Sequence, residues 1–232
     1  MYWSNTLSKK QNWAGDISHY EEKLAVAKVM AAKVNDGDVI GAGSGSTAFV
    51  TLQEIARRVK EEGLDCKVIP TSREIEMAAL SMGVTTTSLL NERPDWCYDG
   101  ADEVDPDGNL IKGRGGAMYR EKLVMSASEK AYILVDSSKF VEKLGEKFAI
   151  PVEVDQEALH GAETSLQSMG AIDVNLRPAK GKDGPVITES GFMILDVRFK
   201  EVHDTLEKEI KSITGVIENG LFWGFKPEII TC

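Results

Sequence analysis

The run Val39-Ile40-Gly41-Ala42-Gly43-Ser44-Gly45-Ser46-Thr47 decides how this chain must fold. It follows the turn residues Asn35-Asp36-Gly37-Asp38. Val39 and Ile40 open a buried strand, small residues make a loop, and Phe49, Leu52, Ala56 and Val59 then recur at helical spacing. Strand, small-residue loop and helix in that order present free N–H groups and the positive end of a helix dipole to an anion. Ser46 or Thr47 can cap the helix and also bond a phosphate. The loop is not a P-loop, because no Gly-Lys-Ser/Thr follows at the required distance. It also departs from the dinucleotide fingerprint. Ser46 replaces the third glycine, and the next strand ends in Pro70-Thr71-Ser72 without the acid that would hold a ribose. A small phosphorylated ligand fits better than a dinucleotide, the alternative being a tight turn with nothing bound.

Outward from this unit the pattern repeats. Before it, Ser18 with Glu21 forms a capping box for a helix whose one face carries Tyr20, Leu24, Ala27, Ala31 and Val34. Lys23 lies beside that stripe. After it, strands at Cys66–Pro70, Val84–Leu89, Trp96–Tyr98 and Ala131–Val135 alternate with helices at Arg73–Met82 and Ala117–Ser128. That alternation predicts an α/β fold with a doubly wound, mostly parallel sheet. Near Gly145 the texture changes. Strands at Ile150–Val154, Ile172–Leu176, Val186–Thr188 and Phe192–Phe199, with helices at Glu157–Met169 and His203–Ser212, predict a small α+β unit. The apolar segment from Gly220 to Phe225 is expected to rejoin the first sheet. The resulting division is a catalytic domain of 17–145 plus 220–232, a small domain of 146–219, and an N-terminal extension of 1–16. The extension carries Trp3 and Trp13 and reads either as a mobile arm or as one that docks through its tryptophans.

The chemistry concentrates between Trp96 and Lys122, read WCYDGADEVDPDGNLIKGRGGAMYREK. Asp99 ends a strand, at the sheet edge where open α/β folds bind ligands. Asp102, Glu103 and Glu121 add carboxylates, and Lys112 is followed by glycines that let backbone amides approach a ligand. Asp99-x-x-Asp102 can hold a metal, yet no histidine joins it and Lys112 is close in sequence, which favours an organic ligand with hydroxyls. If a sugar phosphate rests on Gly43–Thr47, a carboxylate at a helix start, Glu121 or a neighbour, can remove a proton beside a carbonyl. Lys112 and the following amides can then take up the enediolate charge. The alternative is that these acids hydrate a loop and pair with Lys112, Arg114 and Arg120.

A chain of 232 residues, 42% hydrophobic and 28% charged, is an ordinary globular composition. Its net charge of −10 argues against a nucleic-acid or anionic-membrane partner. There is no apolar run of membrane-spanning length and no apolar leader. Three widely spaced cysteines, Cys66, Cys97 and Cys232, imply a reduced, cytoplasmic compartment. His19, His160 and His203 do not cluster.

Several motifs in order resemble type A ribose-5-phosphate isomerase. They are Gly41–Thr47, Tyr98–Glu103, Ile111–Ala117, Arg120-Glu121-Lys122, Asp136-Ser137-Ser138-Lys139, Leu144-Gly145, Ile150–Val154, Ile194-Leu195-Asp196, Gly215-Val216 and Gly220-Leu221-Phe222. The resemblance implies a Rossmann-like domain with an inserted ferredoxin-like domain, forming a homodimer or homotetramer. It implies a cofactor-free and metal-free aldose–ketose isomerase of the pentose phosphate pathway, acting on a small sugar phosphate. By the same resemblance Glu121 is the general base between C1 and C2, Asp99 assists ring opening, Asp102 positions hydroxyls and Lys112 stabilises the enediolate. Lys23, Gly45, Ser46 and Thr47 hold the phosphate, with Ser44, where a threonine is common, and Gly113 completing the substrate contacts. Past Phe222 the chain leaves the family's usual pattern.

Overall fold

A computed structural model describes residues 17–231. The extension 1–16 with its two tryptophans, and Cys232, lie outside the described residues. Contacts divide the chain into two units. Among the described residues the first holds 17–100, 123–138 and 227–231, and the second holds 101–122 and 139–226.

In the first unit six strands form one sheet: β1 (Val39–Ala42), β2 (Lys67–Pro70), β3 (Thr85–Thr86), β4 (Trp96–Asp99), β7 (Lys130–Val135) and β13 (Glu228–Thr231). Their order is β3-β2-β1-β4-β7-β13, and every neighbouring pair is parallel. The chain lays β1, β2 and β3 outward in one direction and then returns to build β4, β7 and β13 in the other. The order therefore reverses between β1 and β4, whose carboxyl ends lie side by side, and this crevice is where doubly wound folds bind ligands. Helices α1 (Tyr20–Ala31), α2 (Ser46–Glu62) and α3 (Arg73–Met82) cross between or precede these strands. Their apolar faces, with Met30, Phe49, Leu52, Ile55 and Ile75, share a core with Ile40, Val68, Tyr98 and Leu134 of the sheet. Ser72 caps α3, its hydroxyl accepting from the Ile75 amide.

The Ser18 capping box does not form. Helix α1 begins at Tyr20, so His19 occupies the capping position, in a left-handed conformation (φ 54°) and with no side-chain cap bond. Ser18 lies one residue too early, and Tyr20, expected on the buried face, is exposed. The strand expected over Val84–Leu89 shrinks to two residues at the sheet edge, where one neighbour supplies the only ladder.

The second unit contains β8 (Ile150–Val154), α5 (Leu159–Ser168), β9 (Ala171–Leu176), β10 (Met193–Phe199), α6 (Leu206–Lys211) and β11 (Val216–Asn219). This is a βαββαβ sequence, and its strands stand in the order β11-β8-β10-β9 with every pair antiparallel, the ferredoxin-like arrangement. Val152, Val154, Leu195 and Val197 alternate inward against Leu166 and Ile210 of the two helices. The strand expected over Val186–Thr188 is present only as isolated bridges. Pro178 and Pro185 flank this hairpin, and proline cannot donate to a ladder.

A separate three-stranded sheet joins β5 (Glu103–Val104), β6 (Leu110–Ile111) and β12 (Leu221–Phe222) in the order β12-β6-β5. Contrary to the expectation from its apolarity, the segment after Gly220 thus does not rejoin the first sheet. Leu221 and Phe222 are fully buried against β6, and Glu228–Thr231 makes the return instead. Contacts accordingly group 101–122, 139–145 and 220–226 with the ferredoxin-like sheet, unlike the 17–145 and 220–232 grouping read from composition. The fully buried Glu103 ties this unit together. Its carboxylate accepts the amides of Gly145, Lys147 and Phe148 at 2.6, 2.7 and 2.6 Å. Helix α4 (Met118–Ala127) starts in the second unit and ends in the first.

Glu153, in the middle of β8, is 1% exposed, and its Oε2 is buried without a hydrogen-bond partner. Burial pushes its carboxyl above the ordinary value of 4.5, and Glu218 on the neighbouring strand adds to the rise. A folded-state pKa above the unfolded one means that stability is full below the unfolded value and falls as pH rises past it. The Glu153→Gln variant removes that dependence. Its melting temperature should gain on the wild type as pH is raised from about 4 to 7, and parallel curves across that window would contradict the assignment.

Candidate active site

At the carboxyl end of β1, Gly43 passes directly beside Asp99 at the end of β4. A Cβ on Gly43 would lie 2.3 Å from the Asp99 carboxyl carbon and 2.6 Å from its Cα, so no larger residue fits this approach. The gap is closed by hydrogen bonds. Gly43 N–H donates to the Tyr98 carbonyl at 2.9 Å, and the amides of Ser44 and Gly100 donate to Asp99 Oδ1 at 3.2 and 2.8 Å. Asp99 is 4% exposed. Thr71 Oγ1 donates to the Ala42 carbonyl at 3.2 Å, so the 2.8 Å contact between the Ser44 and Thr71 hydroxyls has Ser44 as donor. Both hydrogens of Ser44 expected for substrate are therefore engaged within the protein.

Gly45 turns the chain into α2. Ser46 and Thr47 open the helix, whose first amides have no intrahelical acceptors and carry the positive end of its dipole. Lys23 reaches this point from α1, its Nζ donating to Ser46 Oγ at 2.9 Å. An ammonium and a helix N-terminus thus converge, which makes a local anion site on a chain of net charge −10. The sequence placed Lys23 beside the buried stripe without a partner, and the fold supplies one.

In the second unit Lys112 and Glu121 face each other. Lys112 Nζ lies 3.2 Å from Glu121 Oε2, with side-chain exposures of 4% and 7%. Each is set by its own backbone. The Lys112 amide donates to the Gly220 carbonyl at 2.9 Å, continuing the ladder between β6 and β12. Gly220 is required there, because a Cβ would lie 2.2 Å from the Lys112 carbonyl oxygen. Glu121 sits in the first turn of α4, its amide donating to the Ala117 carbonyl at 2.9 Å, where the helix dipole favours a carboxylate. The Phe222 ring lies 5.6 Å from the Lys112 ammonium. Asp102 is half-buried. Its amide donates to the Ile111 carbonyl at 2.8 Å and its Oδ2 accepts the Arg114 amide at 3.1 Å. Gly113 (φ 98°) turns the chain after Lys112, and its carbonyl accepts the Gly116 amide.

Three residues to which the sequence reading gave no role hold these groups. Lys122, next to Glu121, is buried, with its ammonium 2.8 Å from Glu207, 2.9 Å from Glu218 and 2.7 Å from the Leu221 carbonyl. Arg177 and Asp196 pair beside the glycine loop. The partners of each are far apart in sequence, so no local pattern marks them. The histidines remain apart: His160 faces Glu163 and His203 faces Thr205. Among the described residues no three His, Cys, Asp or Glu side chains group as a metal site, and no helix is long and apolar enough to cross a membrane.

A buried carboxylate beside a buried ammonium suits proton transfer next to a carbonyl, because one removes the proton and the other balances the charge that appears on oxygen. The family model for ribose 5-phosphate isomerase A (phosphoriboisomerase A) matches residues 67–232. A ribose-5-phosphate isomerase A from Methanothermobacter thermautotrophicus is 45% identical over 211 residues, covering 90% of this chain and 92% of the relative. The solved enzyme of Methanocaldococcus jannaschii superimposes with a TM-score of 0.85 at 44% identity, covering 88% of this chain and 92% of that one. A D-ribose-5-phosphate isomerase in complex with phospho-erythronic acid gives a TM-score of 0.85 at 37% identity, covering 89% and 91%. The fold is that of an aldose–ketose isomerase. The chain belongs to the ribose 5-phosphate isomerase A family.

Removing one member of a buried ion pair strands the other. Lys112→Met should lower unfolding free energy in urea by about 3–5 kcal/mol, and adding Glu121→Gln should restore most of it. A double-variant loss equal to the sum of the Lys112→Met and Glu121→Gln losses would show that the pair is not coupled.

Proposed function

We propose that this chain interconverts D-ribose 5-phosphate and D-ribulose 5-phosphate in the pentose phosphate pathway, with Glu121 as the base and Lys112 as the charge-balancing group. The observation that carries the assignment is the 3.2 Å approach of the Lys112 ammonium to the Glu121 carboxylate with both nearly excluded from water. Asp99, hydrogen-bonded to two amides, assists opening of the furanose ring. In the open aldose, Glu121 takes the proton from C2. The C2–H electrons form the C1–C2 double bond, and the carbonyl electrons move onto O1. Lys112 stabilises the resulting enediolate. A proton then passes from O2 to O1, and Glu121 returns its proton to C1, which leaves the ketone at C2. No atom is gained or lost. Asp102 orients the hydroxyls beside the reacting carbons.

Lys23, Gly45, Ser46 and Thr47 are proposed to hold the phosphate, with Ser44 shaping the loop and Gly113 presenting backbone to the sugar. The pairing of Lys23 with Ser46 at the start of α2 supports this part of the reading. Phospho-erythronic acid, bound by a relative, carries a carboxylate where the enediolate has its two oxygens, so its shape and charge are those the proposed site must stabilise. The active form is proposed to be a cytoplasmic homodimer or homotetramer, needing neither metal nor cofactor.

Glu121→Gln should lower kcat roughly 10²–10⁴-fold with little change in KM, and wild-type turnover should survive exhaustive chelation. A Glu121→Gln enzyme of near-normal rate would rule out this mechanism, and loss of activity on chelation that zinc or magnesium restores would rule out the metal-free reading.

A further inference from the structure

Arg177 follows β9 and is locked by its own backbone, its amide donating to the Ile194 carbonyl and its carbonyl accepting from Val186, both at 2.9 Å. Its guanidinium is shared between two tasks. Nε and Nη2 grip the Asp196 carboxylate on β10 in a two-pronged pair, with Nε to Oδ2 at 2.9 Å and Nη2 to Oδ1. Nη1 donates to two successive backbone carbonyls, Gly113 at 3.0 Å and Arg114 at 2.9 Å. Those carbonyls belong to the loop that directly follows Lys112.

A trans peptide is planar, with its carbonyl and N–H pointing in opposite directions. Holding Gly113 O therefore aims the Arg114 N–H away from Arg177, and holding Arg114 O does the same for the Gly115 N–H. The first of these is seen to be occupied: Arg114 N–H reaches Asp102 Oδ2 at 3.1 Å. Left to itself, a glycine-rich loop would rotate these planes easily. Two further contacts pin the same loop. The Arg114 guanidinium lies 5.0 Å from the Phe148 ring, whose own amide is bound by the buried Glu103. The Ile194 side chain lies 3.3 Å from where a Cβ on Gly116 would be.

We propose that Arg177, oriented by Asp196, is a positioning residue for the isomerisation. By gripping both carbonyls it fixes the Arg114 amide on Asp102 and turns the Gly115 amide towards the sugar oxygen that becomes charged. With the Arg114 amide held on Asp102, the Gly115 amide is the one left to meet negative charge, and the positive guanidinium on the two carbonyls polarises both peptides further. The inference rests on the functional reading above and deepens it. It assigns part of the enediolate stabilisation to backbone dipoles that this clamp orients. Lysine cannot substitute, because one ammonium has no planar fork to hold a carboxylate and two carbonyls together.

The test compares wild type, Arg177→Met, Arg177→Lys and Asp196→Asn, each with its melting temperature, using ribose 5-phosphate as substrate and phospho-erythronic acid as inhibitor. Loss of an oriented amide donor predicts that Arg177→Met lowers kcat about 100-fold while KM stays within about threefold. Inhibitor affinity should fall in step with kcat/KM. Arg177→Lys should not rescue the rate, and Asp196→Asn should give a smaller fall of the same kind. In an Asp102→Ala background, Arg177→Met should cost less, since the two act through one amide. Should Arg177→Met fail to fold, the isosteric Asp196→Asn decides, and unchanged kcat and inhibitor affinity there would overturn the proposal. A folded Arg177→Met enzyme with normal kcat, or with its loss confined to KM, would overturn it too. Absence of turnover in the wild type would overturn the functional reading and this inference together, whereas wild-type turnover that Arg177→Met leaves intact overturns the inference alone.

Discussion

Taking an ammonium and a carboxylate out of water costs several kcal/mol per ion, and only close geometry offsets it. Lys112 and Glu121 meet that condition at 3.2 Å, and much of the second unit can be understood as what keeps them there. The β6–β12 ladder fixes the backbone of Lys112 through a glycine that no other residue could replace. The adjacent Lys122 anchors the first turn of α4 to Glu207, Glu218 and the Leu221 carbonyl, so the helix cannot rotate Glu121 away. Phe222 lies beneath both ammonium groups, at 5.6 and 4.9 Å, and supplies an apolar wall with a negative face. A pair buried this way is poor as a source of stability and well suited to chemistry, because its charges respond to one another rather than to solvent.

The first unit solves a different problem. An acidic chain must attract an anion, so the positive field has to be local. Helix α2 provides a dipole, Lys23 a full charge, and the close approach of Gly43 to Asp99 brings the loop to the end of β4. Ser44 shows how such a loop is stiffened. Its hydroxyl bonds Thr71, whose hydroxyl bonds the Ala42 carbonyl, so the turn after β1 is tied to the end of β2. The parallel order reversing between β1 and β4 is the reason these loops are neighbours at all.

Legibility in the sequence followed the range of the interactions. Strand, glycine loop and helix are written within about twenty residues, and the parallel sheet with its reversal follows from their repetition. Lys112 and Glu121 were legible because a short loop carries both. Short-range signals failed where a neighbour decided the outcome. Ser18 had a capping pattern, but the chain turned at His19, one residue later. The apolar Leu221-Phe222 was claimed by β6, because burial there satisfied it as well as the main sheet would have. Val186–Thr188 has strand-forming residues, yet the flanking prolines deny it a ladder. Arg177, Asp196 and Glu103 act on partners 42 or more residues away, or across a strand pair, and nothing in their own surroundings announces it.

The most direct test of a proton relayed by Glu121 is to run the wild-type reaction from ribose 5-phosphate in deuterium oxide and read C1 of the ribulose 5-phosphate by NMR. A carboxyl that holds the proton between C2 and C1 exchanges part of it with solvent, so deuterium should enter at C1 during the first turnovers. Reaction mixtures held at equilibrium through very many turnovers with no deuterium ever entering C1 would mean that no exchangeable proton is formed between the carbons, and would contradict the role given to the buried pair.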